Sequence, residues 1–334
     1  MSKQLRYYKE KTILITGAAG FIGSSLARVL SQIDCTLICC SRDIEKLEII
    51  PPVKARVVNR EIDIRTSSIW EEILEGVDVV FHFAAQTSSK FANDNPCMDV
   101  DINLFPIASF IETCQNKNIR PDIIFPGTVT QAGFTETWPI DEMIQDVPIT
   151  VYDINKLAAE KYVCYYGTQL GGRGVTLRFA NVYGPGTKSG SPDRGILNMM
   201  VMRALEGKSL TLYGDGNYVR DYVFIDDVVT AFLMAGAALP VTNGRYYVMG
   251  SGVGHTINEM AEMVRNLVAK ITGKNVDIQN VPPPSGLSQI EFRHFVADTS
   301  LFRQDTGWKP QVTLEEGIKH TIDSFLRKGT QWKS

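Results

Sequence analysis

The 334-residue sequence predicts an α/β protein built on a doubly wound parallel sheet, with a smaller C-terminal lobe. Short apolar runs alternate with helical patterns through the first half of the chain, which is typical of a parallel sheet covered by helices on both faces. A glycine-rich turn separates the first strand from the first helix. After residue 184 the composition changes, and Gly, Pro and Ser become dense. We therefore predict one domain over 1–184 and a lobe over 185–334, with about 215–250 partly interleaved into the first domain.

The individual elements follow from apolar spacing and from the residues that end each run. Runs such as "TILITG" are β-branched and short, as buried strands are, whereas "FIGSSLARVLSQ" has helical spacing and "SSIWEEILEG" is a helical segment closed by Gly. The predicted strands of the first domain are 12–17, 35–41, 55–63, 77–85, 121–127 and 174–184, and its helices are 21–32, 67–76, 100–117 and 152–170. The lobe has a helix over 196–206, strands over 209–214 and 245–250, an apolar segment over 222–236 and a closing amphipathic helix over 312–326.

Composition narrows the possible partners and the compartment. The chain is 44% hydrophobic and 21% charged with a formal net charge of −3, so no basic field for nucleic acid is expected. No apolar run approaches the roughly 18 to 20 residues of a membrane span. The polar, basic N-terminus predicts no signal peptide. Six cysteines without a C-x-x-C pair indicate reduced thiols in a cytoplasmic protein, and four scattered histidines predict no metal site.

The segment "TGAAGFIG" predicts a dinucleotide-binding loop. Its glycines, Gly17, Gly20 and Gly23, let the backbone approach a pyrophosphate, which then rests on the free N–H groups of the following helix. Phe21 and Ile22 belong to the same loop. Because the loop lies between a strand and a helix at the start of the chain, dinucleotide binding is favoured over an ordinary turn.

The end of the second strand bears on which nicotinamide cofactor is bound. An enzyme that prefers NAD usually has an acidic residue there for the ribose 2′-hydroxyl. This chain has Ser41 followed by Arg42, a pair that suits a 2′-phosphate. The alternative is that Arg42 is an ordinary surface residue and Asp43 binds the ribose. NADP(H) is favoured, and NAD(H) remains possible.

A phenol and an ammonium lie one helical turn apart in "VYDINKLAAEKYV". Tyr152 and Lys156 share one helix face because they are four residues apart. Taken alone, the pair fits a solvated surface. Beside a nicotinamide cofactor, it is what a hydride-transfer site needs to move a proton to or from an alcohol oxygen.

With these residues assembled, the chain resembles the extended short-chain dehydrogenase/reductase family, specifically its sugar-nucleotide epimerases, dehydratases and ketoreductases. The resemblance runs over roughly residues 12 to 320. It rests on "TGAAGFIG", "DVVFHFAA", "YDINKLAAEKY", "LRFANVYGPG", "YGDGNYVRDYVFIDDVV" and "GWKPQVTLEEGI". It implies a Rossmann-like nucleotide-binding domain and a C-terminal lobe that holds a nucleoside diphosphate sugar.

The resemblance also implies the catalytic residues. Tyr152 would be the acid/base on a sugar hydroxyl or ketone, and Lys156 would bind the nicotinamide ribose and lower the pKa of the phenol, which is otherwise near ~10. A hydroxyl residue should end the preceding strand, but aligning "FPGTVTQAG" on Val129 puts Pro126 there, so we expect Thr128, or else Thr130 or water, to replace it. The Asp-Glu pair of the dehydratases would fall at Gly127 and Thr128, so dehydration is not expected.

Further binding residues are implied by position. Asp63 and Ile64 would flank the adenine, and Ala84 and Ala85 would line the cofactor channel. His82 is expected to be a packed strand residue, and Asn103 to lie on a helix near the active site or to cap the surface. The residues expected to bind the sugar nucleotide are Asn181, Arg220, Arg293 and Tyr213, of which the last two could equally be structural.

Three functions remain open at this point. The first is an NADPH-dependent 4-ketoreductase acting on an NDP-4-keto-6-deoxyhexose, favoured by Ser41 and Arg42 and by the missing dehydratase pair. The second is an NDP-sugar 4-epimerase with a retained cofactor, and the third is a catalytically silent sugar-nucleotide-binding protein. The family resemblance also implies a homodimer through the helices at about 100–117 and 152–170, whose surplus apolar residues include Phe105, Ile107, Phe110, Tyr162, Val163 and Tyr166.

Overall fold

A seven-stranded parallel sheet forms the centre of the protein. The computed structural model describes residues 3–47, 53–186, 195–284 and 287–327. The strands are β1 (Thr12–Thr16), β2 (Thr36–Ser41), β3 (Arg56–Glu61), β4 (Val79–His82), β5 (Asp122–Thr128), β6 (Arg173–Phe179), β7 (Asn181–Tyr183), β8 (Leu210–Tyr213), β9 (Val219–Phe224), β10 (Arg245–Met249), β11 (Gly254–Thr256) and β12 (Ile278–Val281). The central sheet has the order β10-β6-β5-β4-β1-β2-β3 with every neighbouring pair parallel. This confirms the predicted fold class.

Helices cover both faces of this sheet. They are α1 (Lys3–Tyr7), α2 (Phe21–Leu30), α3 (Ile69–Ile73), α4 (Ser89–Asp94), α5 (Pro96–Asn103), α6 (Phe105–Asn116), α7 (Val151–Gln169), α8 (Ile196–Leu205), α9 (Ile225–Ala237), α10 (Leu239–Thr242), α11 (Ile257–Thr272), α12 (Ser300–Thr306) and α13 (Leu314–Arg327). The two larger core clusters lie on the α2 and α9 face and on the α6 and α7 face. No helix in these described ranges has the length and apolar character needed to cross a lipid bilayer.

The strand order reverses between β1 and β4, which places a crevice at the carboxyl ends of the central strands. Open parallel sheets bind ligands at such a switch point. The C-terminal part adds a three-stranded sheet, β11-β9-β7, and a two-stranded sheet, β12-β8. It also returns β10 and α9 to the first domain, because β10 pairs with β6 and α9 packs on the α2 face. Where the chain divides into domains stays a prediction, and much of the Gly-, Pro- and Ser-rich segment on which it rests, at 187–194, lies outside the described residues.

Two predicted elements are interrupted. The helix expected over 100–117 is split at Leu104 into α5 and α6, because Pro106 occupies the first turn of α6 and cannot continue a helix from before it. The strand expected over 174–184 is two strands, with Ala180 between them; β6 pairs with β5 and β10, while β7 turns away to pair with β9.

The surface of the predicted dimer helices differs from expectation. Ile107, Phe110, Val163 and Tyr166 are fully buried in the α6 and α7 core, so they were wrongly assigned to an interface. Phe105 and Tyr162 are exposed, and α7 additionally exposes Ile154 and Tyr165. Helix α7 therefore carries an apolar strip on its outer side as well as a core-facing side.

Candidate active site

A cleft of about 1080 Å³ opens at the carboxyl ends of the central strands. It is bounded by the glycine loop after β1, the segment after β4, the end of β5, the first turns of α7 and the start of α8. Many of the predicted site residues line it, namely Gly17, Gly20, Phe21, Ile22, Gly23, Arg42, Ala85, Thr128, Tyr152, Lys156, Asn181 and Arg293. The topology therefore brings together residues that are up to 276 positions apart in the sequence.

The glycine loop has the close backbone approach that a pyrophosphate site requires. Gly17 has a left-handed φ of 65°, and a Cβ there would lie 2.6 Å from the backbone nitrogen of Ala84. A Cβ on Gly23 would lie 2.3 Å from the carbonyl oxygen of Gly17. Gly20 caps α2 without a side-chain hydrogen bond, so the helix presents its N-terminal N–H groups to the cleft. These features fit a dinucleotide, and side chains larger than hydrogen would fill the cradle.

Basic side chains lie where the adenosine end of a dinucleotide would be expected. Arg42 and Arg65 both line the cleft. Asp63 accepts hydrogen bonds of 2.9 Å from Nε of Arg65 at both carboxylate oxygens, and this pairing, with the nearby charge of Arg42, lowers the pKa of Asp63. Asp43 instead caps a short 3₁₀ helix through Glu45 N–H and pairs with Lys46 at 2.6 Å. The structure thus gives no support to Asp43 as the ribose ligand, and it adds Arg65, which sequence reasoning missed.

Besides Asp63 and Arg220, four predicted cofactor and substrate residues do not line the cleft. Ser41 accepts a hydrogen bond from Asp43 N–H at 3.1 Å, and Ala84 donates its N–H to Thr16 Oγ1 at 3.1 Å. Ile64 is buried in the α6 and α7 core, beside the end of β3. Tyr213 is 44% exposed at the end of β8. Their roles stay predictions, with Ser41 and Ala84 engaged in shaping the backbone of their own loops.

His82 is the packed residue that was expected. It is buried, lies 2.9 Å from Thr16 Oγ1 through Nδ1, and stacks on Phe125. Burial, helped by the charge of Lys156, lowers the pKa of His82 to about 3. The imidazole is therefore neutral at physiological pH and helps to hold β1 against β4.

Tyr152 and Lys156 project from the first turns of α7 into the cleft, and both are buried. Thr150 caps this helix by accepting the N–H of Asp153 at 3.2 Å, which fixes where the helix begins. The Lys156 Nζ lies 3.8 Å from the centroid of the Phe125 ring. The aromatic face holds the ammonium at the depth of the strand ends, beside Tyr152.

Thr128 ends β5 and faces the same cleft. It begins a short 3₁₀ helix (Val129–Ala132) in which Gln131 Oε1 accepts the N–H of Thr128 at 2.8 Å. The Gln131 amide then donates to Glu160 at 3.1 Å, and Arg178 binds Glu160 through two bonds of 2.6 and 2.7 Å. The end of the strand is thereby tied to the helix that carries Tyr152. Thr130 also lines the cleft. Both threonines that could replace the hydroxyl residue expected at Pro126 are therefore in the cleft wall.

Helix α5 meets α7 through a buried polar cluster. Asp99 is fully buried and accepts from Asn103 and Asn155, each at 2.8 Å. Asn103 also donates to the carbonyl oxygen of Gln86 at 3.0 Å. Asn103 is thus a buried residue beneath the cleft-lining segment after β4, and the surface-capping alternative is wrong.

Two arginines, Arg220 and Arg293, lie together beside the cleft. Arg220 is buried and donates to the carbonyl oxygens of Arg293 and, at 2.6 Å, Glu291. Burial first, and then the charge of Arg293, lowers the pKa of Arg220 to about 9. Arg293 reaches the cleft, whereas Arg220 lies behind it. Two adjacent guanidiniums in a buried position suit an anionic group, and Asn181 and the buried Tyr222 line the same region.

Comparison with known proteins places these features among sugar-nucleotide enzymes. The model of the NAD dependent epimerase/dehydratase family matches residues 13–250. The chain is 29% identical to a UDP-glucose 4-epimerase of Mycolicibacterium smegmatis over 94% of this chain and 98% of that protein. A UDP-glucose 4-epimerase of Thermotoga maritima, solved with UDP-glucose, superposes with a TM-score of 0.84 at 30% identity and covers 95% of this chain and 99% of that one. The Thermus thermophilus UDP-glucose 4-epimerase, solved with NAD, has a TM-score of 0.79 at 29% identity over 96% and 99%.

Proposed function

Because the chain belongs to the NAD-dependent epimerase/dehydratase family, we propose that it is a 4-epimerase of a nucleoside diphosphate hexose, with a UDP-hexose as the favoured substrate. The observation that carries the proposal is the convergence of Tyr152, Lys156 and Thr128 on one cleft that also holds the glycine cradle. Relatives that act on UDP-glucose match almost the whole chain, and they support the epimerase alternative over the 4-ketoreductase that Ser41 and Arg42 first favoured.

In this reaction the residues of this chain would have the following roles. A bound nicotinamide supplies the site that takes the C4 hydride and returns it. Tyr152 takes the proton of the C4 hydroxyl and later gives it back, because the adjacent ammonium of Lys156 favours the phenolate form. Thr128 contacts the C4 oxygen from the end of β5. Arg293, backed by Arg220, pairs with the diphosphate, and Asn181 bonds the same part of the substrate.

The decisive experiment is to supply UDP-glucose and UDP-galactose separately and follow the anomeric signals by NMR. We expect each sugar to yield the other without net loss of reduced-nicotinamide absorbance. Tyr152→Phe should lower turnover by about 10² to 10⁴-fold, since only the titrating oxygen is removed. Tyr165→Phe is the matched control, because Tyr165 lies on the same helix, is 48% exposed and does not line the cleft. Stoichiometric loss of NADPH with a 4-keto-6-deoxy sugar nucleotide, and no interconversion, would establish the ketoreductase instead.

We further propose that the cofactor is NADP(H), with Arg42 and Arg65 receiving its 2′-phosphate. Two guanidiniums on the cleft wall beside the end of β2 support this, although the Thermus relative was solved with NAD. A charge-assisted bond is worth about 1.5 to 3 kcal/mol, so Arg42→Ala and Arg65→Ala should each narrow the preference for NADPH by roughly tenfold or more. Fluorescence titration with NADPH and NADH measures this directly. Equal or tighter binding of NADH to the unmodified protein would contradict the proposal.

A further inference from the structure

One stretch of the chain, residues 85–102, lines the cleft from the end of β4 through α4 and most of α5. Gln86, Phe91 and Met98 are among the residues of this stretch that face the cleft. Helix α7, which carries Tyr152 and Lys156, packs against α4 and α5. The place of residues 85–102 relative to Tyr152 therefore depends on the contacts that join these helices.

Asp99 is the centre of the hydrogen bonds at this junction. Its side chain is fully buried, and Oδ1 accepts from Nε2 of Gln86 at 2.5 Å and from Nδ2 of Asn103 at 2.8 Å. Oδ2 accepts from Nδ2 of Asn155 at 2.8 Å. Asn155 lies on α7 between Tyr152 and Lys156. One carboxyl group thus joins the segment after β4, the end of α5 and the helix that carries Tyr152.

Backbone partners fix the amide orientations of Gln86 and Asn103. Oε1 of Gln86 accepts the N–H of Ser88, so Nε2 is the atom that faces Asp99 and, at 2.9 Å, the carbonyl oxygen of Ser88. Nδ2 of Asn103 donates to the carbonyl oxygen of Gln86 at 3.0 Å, which likewise leaves a nitrogen facing Asp99. Oδ1 of Asp99 accepts both N–H groups whether or not the carboxyl group carries a proton. Gln86 is therefore held through its side chain and through its backbone.

We propose that Asp99 is a positioning residue that holds residues 85–102 against α7 and so sets where the hexose lies relative to Tyr152. This rests on the proposed 4-epimerase. The proposed diphosphate ligands, Asn181 and Arg293, belong to β7 and to the segment that follows residue 292, so a displacement of residues 85–102 leaves that anchor in place. Such a displacement should affect the reaction more than the binding of the substrate, since a misplacement of about 1 Å can cost roughly 10²-fold in rate.

Three substitutions separate the hydrogen bonds of Asp99 from its charge. Asn155→Ala cuts the junction on α7 and leaves Asp99 with its two other donors. Asp99→Ala removes the centre. Asp99→Asn is the conservative variant, because its oxygen can accept from Gln86 and Asn103 while its nitrogen donates to the oxygen of Asn155 once that amide turns over. Asp99→Asn should therefore keep a junction made of hydrogen bonds, whereas it would abolish a proton transfer by Asp99.

Steady-state kinetics of the interconversion of UDP-glucose and UDP-galactose give kcat and KM for each variant. We expect Asn155→Ala and Asp99→Ala to lower kcat by about 10- to 100-fold, with KM changed by less than about threefold. Asp99→Asn should stay within about threefold of the wild-type kcat. Tyr247→Phe is the control for lost stability, because it removes a 2.6 Å hydrogen bond from a buried side chain to Asp305, and Tyr247 does not line the cleft. Both of its constants should match those of the wild type.

Hydrogen–deuterium exchange of the protein without substrate is the second readout. Peptides from residues 85–103 should exchange faster in the two alanine variants, and at the wild-type rate in Asp99→Asn and Tyr247→Phe. An unchanged kcat or unchanged exchange in the folded alanine variants would overturn the proposal, as would a loss of kcat in Asp99→Asn equal to that in Asp99→Ala. Should Asp99→Ala fail to fold, Asn155→Ala decides alone. Failure of the epimerase assignment is distinct, because the wild-type protein would then not interconvert the two sugars while the exchange of residues 85–103 still responded to Asn155→Ala.

Discussion

Arg178→Met should be among the most destabilising single substitutions in the protein. Arg178 is 1% exposed and makes four charge-assisted bonds, two to Glu160 at 2.6 and 2.7 Å and two to Asp146 at 2.5 and 2.8 Å. Its guanidinium also lies 3.8 Å from the centroid of the Tyr246 ring. Glu160 has a side-chain exposure of 2%, so water has little access to it, and after the loss of Arg178 it keeps, among the described residues, only the 3.5 Å contact of Oε1 with the exposed Lys161 and the bond from Gln131, whereas Asp146, at 15%, reaches solvent.

The expected loss in the free energy of unfolding follows from the burial of Glu160. Removing one partner of a buried ion pair costs about 3 to 5 kcal/mol, because the remaining charge stays desolvated. Glu160→Gln should cost less, about 1 to 3 kcal/mol, since Arg178 keeps both bonds to Asp146. The double substitution Arg178→Met with Glu160→Leu should cost less than the sum of the two single changes, because the buried charge of Glu160 is removed together with its partner and the remaining Asp146 reaches solvent.

Urea unfolding followed by circular dichroism at fixed protein concentration measures these free energies. Lys9→Met is the control, because Lys9 pairs with Glu10 at 3.0 Å on the surface, where such pairs contribute little. Turnover should also fall in Arg178→Met, since Glu160 anchors the Gln131 amide that holds Thr128. Unfolding of Arg178→Met within 1 kcal/mol of the wild-type free energy would refute this account of the buried pair.

Two further predictions concern acid stability and assembly. His82 has a pKa of about 3 when folded and near 6.5 when unfolded, so the unfolded chain binds the extra proton between these values and stability falls as pH drops from 6.5 toward 3. The slope from this group is about 1.4 kcal/mol per pH unit, and His82→Asn should remove it, as urea midpoints at pH 7 and 5 would show. The exposed strip of Ile154, Tyr162 and Tyr165 on α7 should form a homodimer contact. Tyr162→Glu should then yield a monomer mass by light scattering, and a wild-type monomer would contradict the dimer.

The sheet and the cofactor loop were predictable because their signals are local. A buried parallel strand is a short apolar run, and the loop needs glycine at Gly17 and Gly23, where the approaching backbone excludes a Cβ. The split between α5 and α6 also has a local signal, which is Pro106. The two helices were predicted as one because the apolar spacing continues on both sides of this proline. Element boundaries therefore shifted where a proline or a change of sheet competed with periodicity.

The grouping of polar side chains around the cleft could not be predicted in this way, because it joins residues of different strands. Arg42 follows β2 and Arg65 follows β3, and only the structure shows that both line the cleft and that Arg65 pairs with Asp63. Four of the six apolar residues assigned to an interface are core residues, because one helix can supply two apolar faces and the sequence does not say which one meets the sheet.

Asp153 shows most clearly which contacts cannot be predicted from the sequence. It follows Tyr152 directly, and an acidic residue in the first turn of a helix is explained sufficiently by the helix dipole. Nothing in the sequence indicates that its carboxylate is buried against Thr130, which lies in the 3₁₀ helix after β5. That contact joins the segment after β5 to the first turn of the helix that carries Tyr152. The type of residue at a position is read from the sequence, whereas the hydrogen-bond partners of a buried polar side chain are a property of the neighbours that the fold supplies.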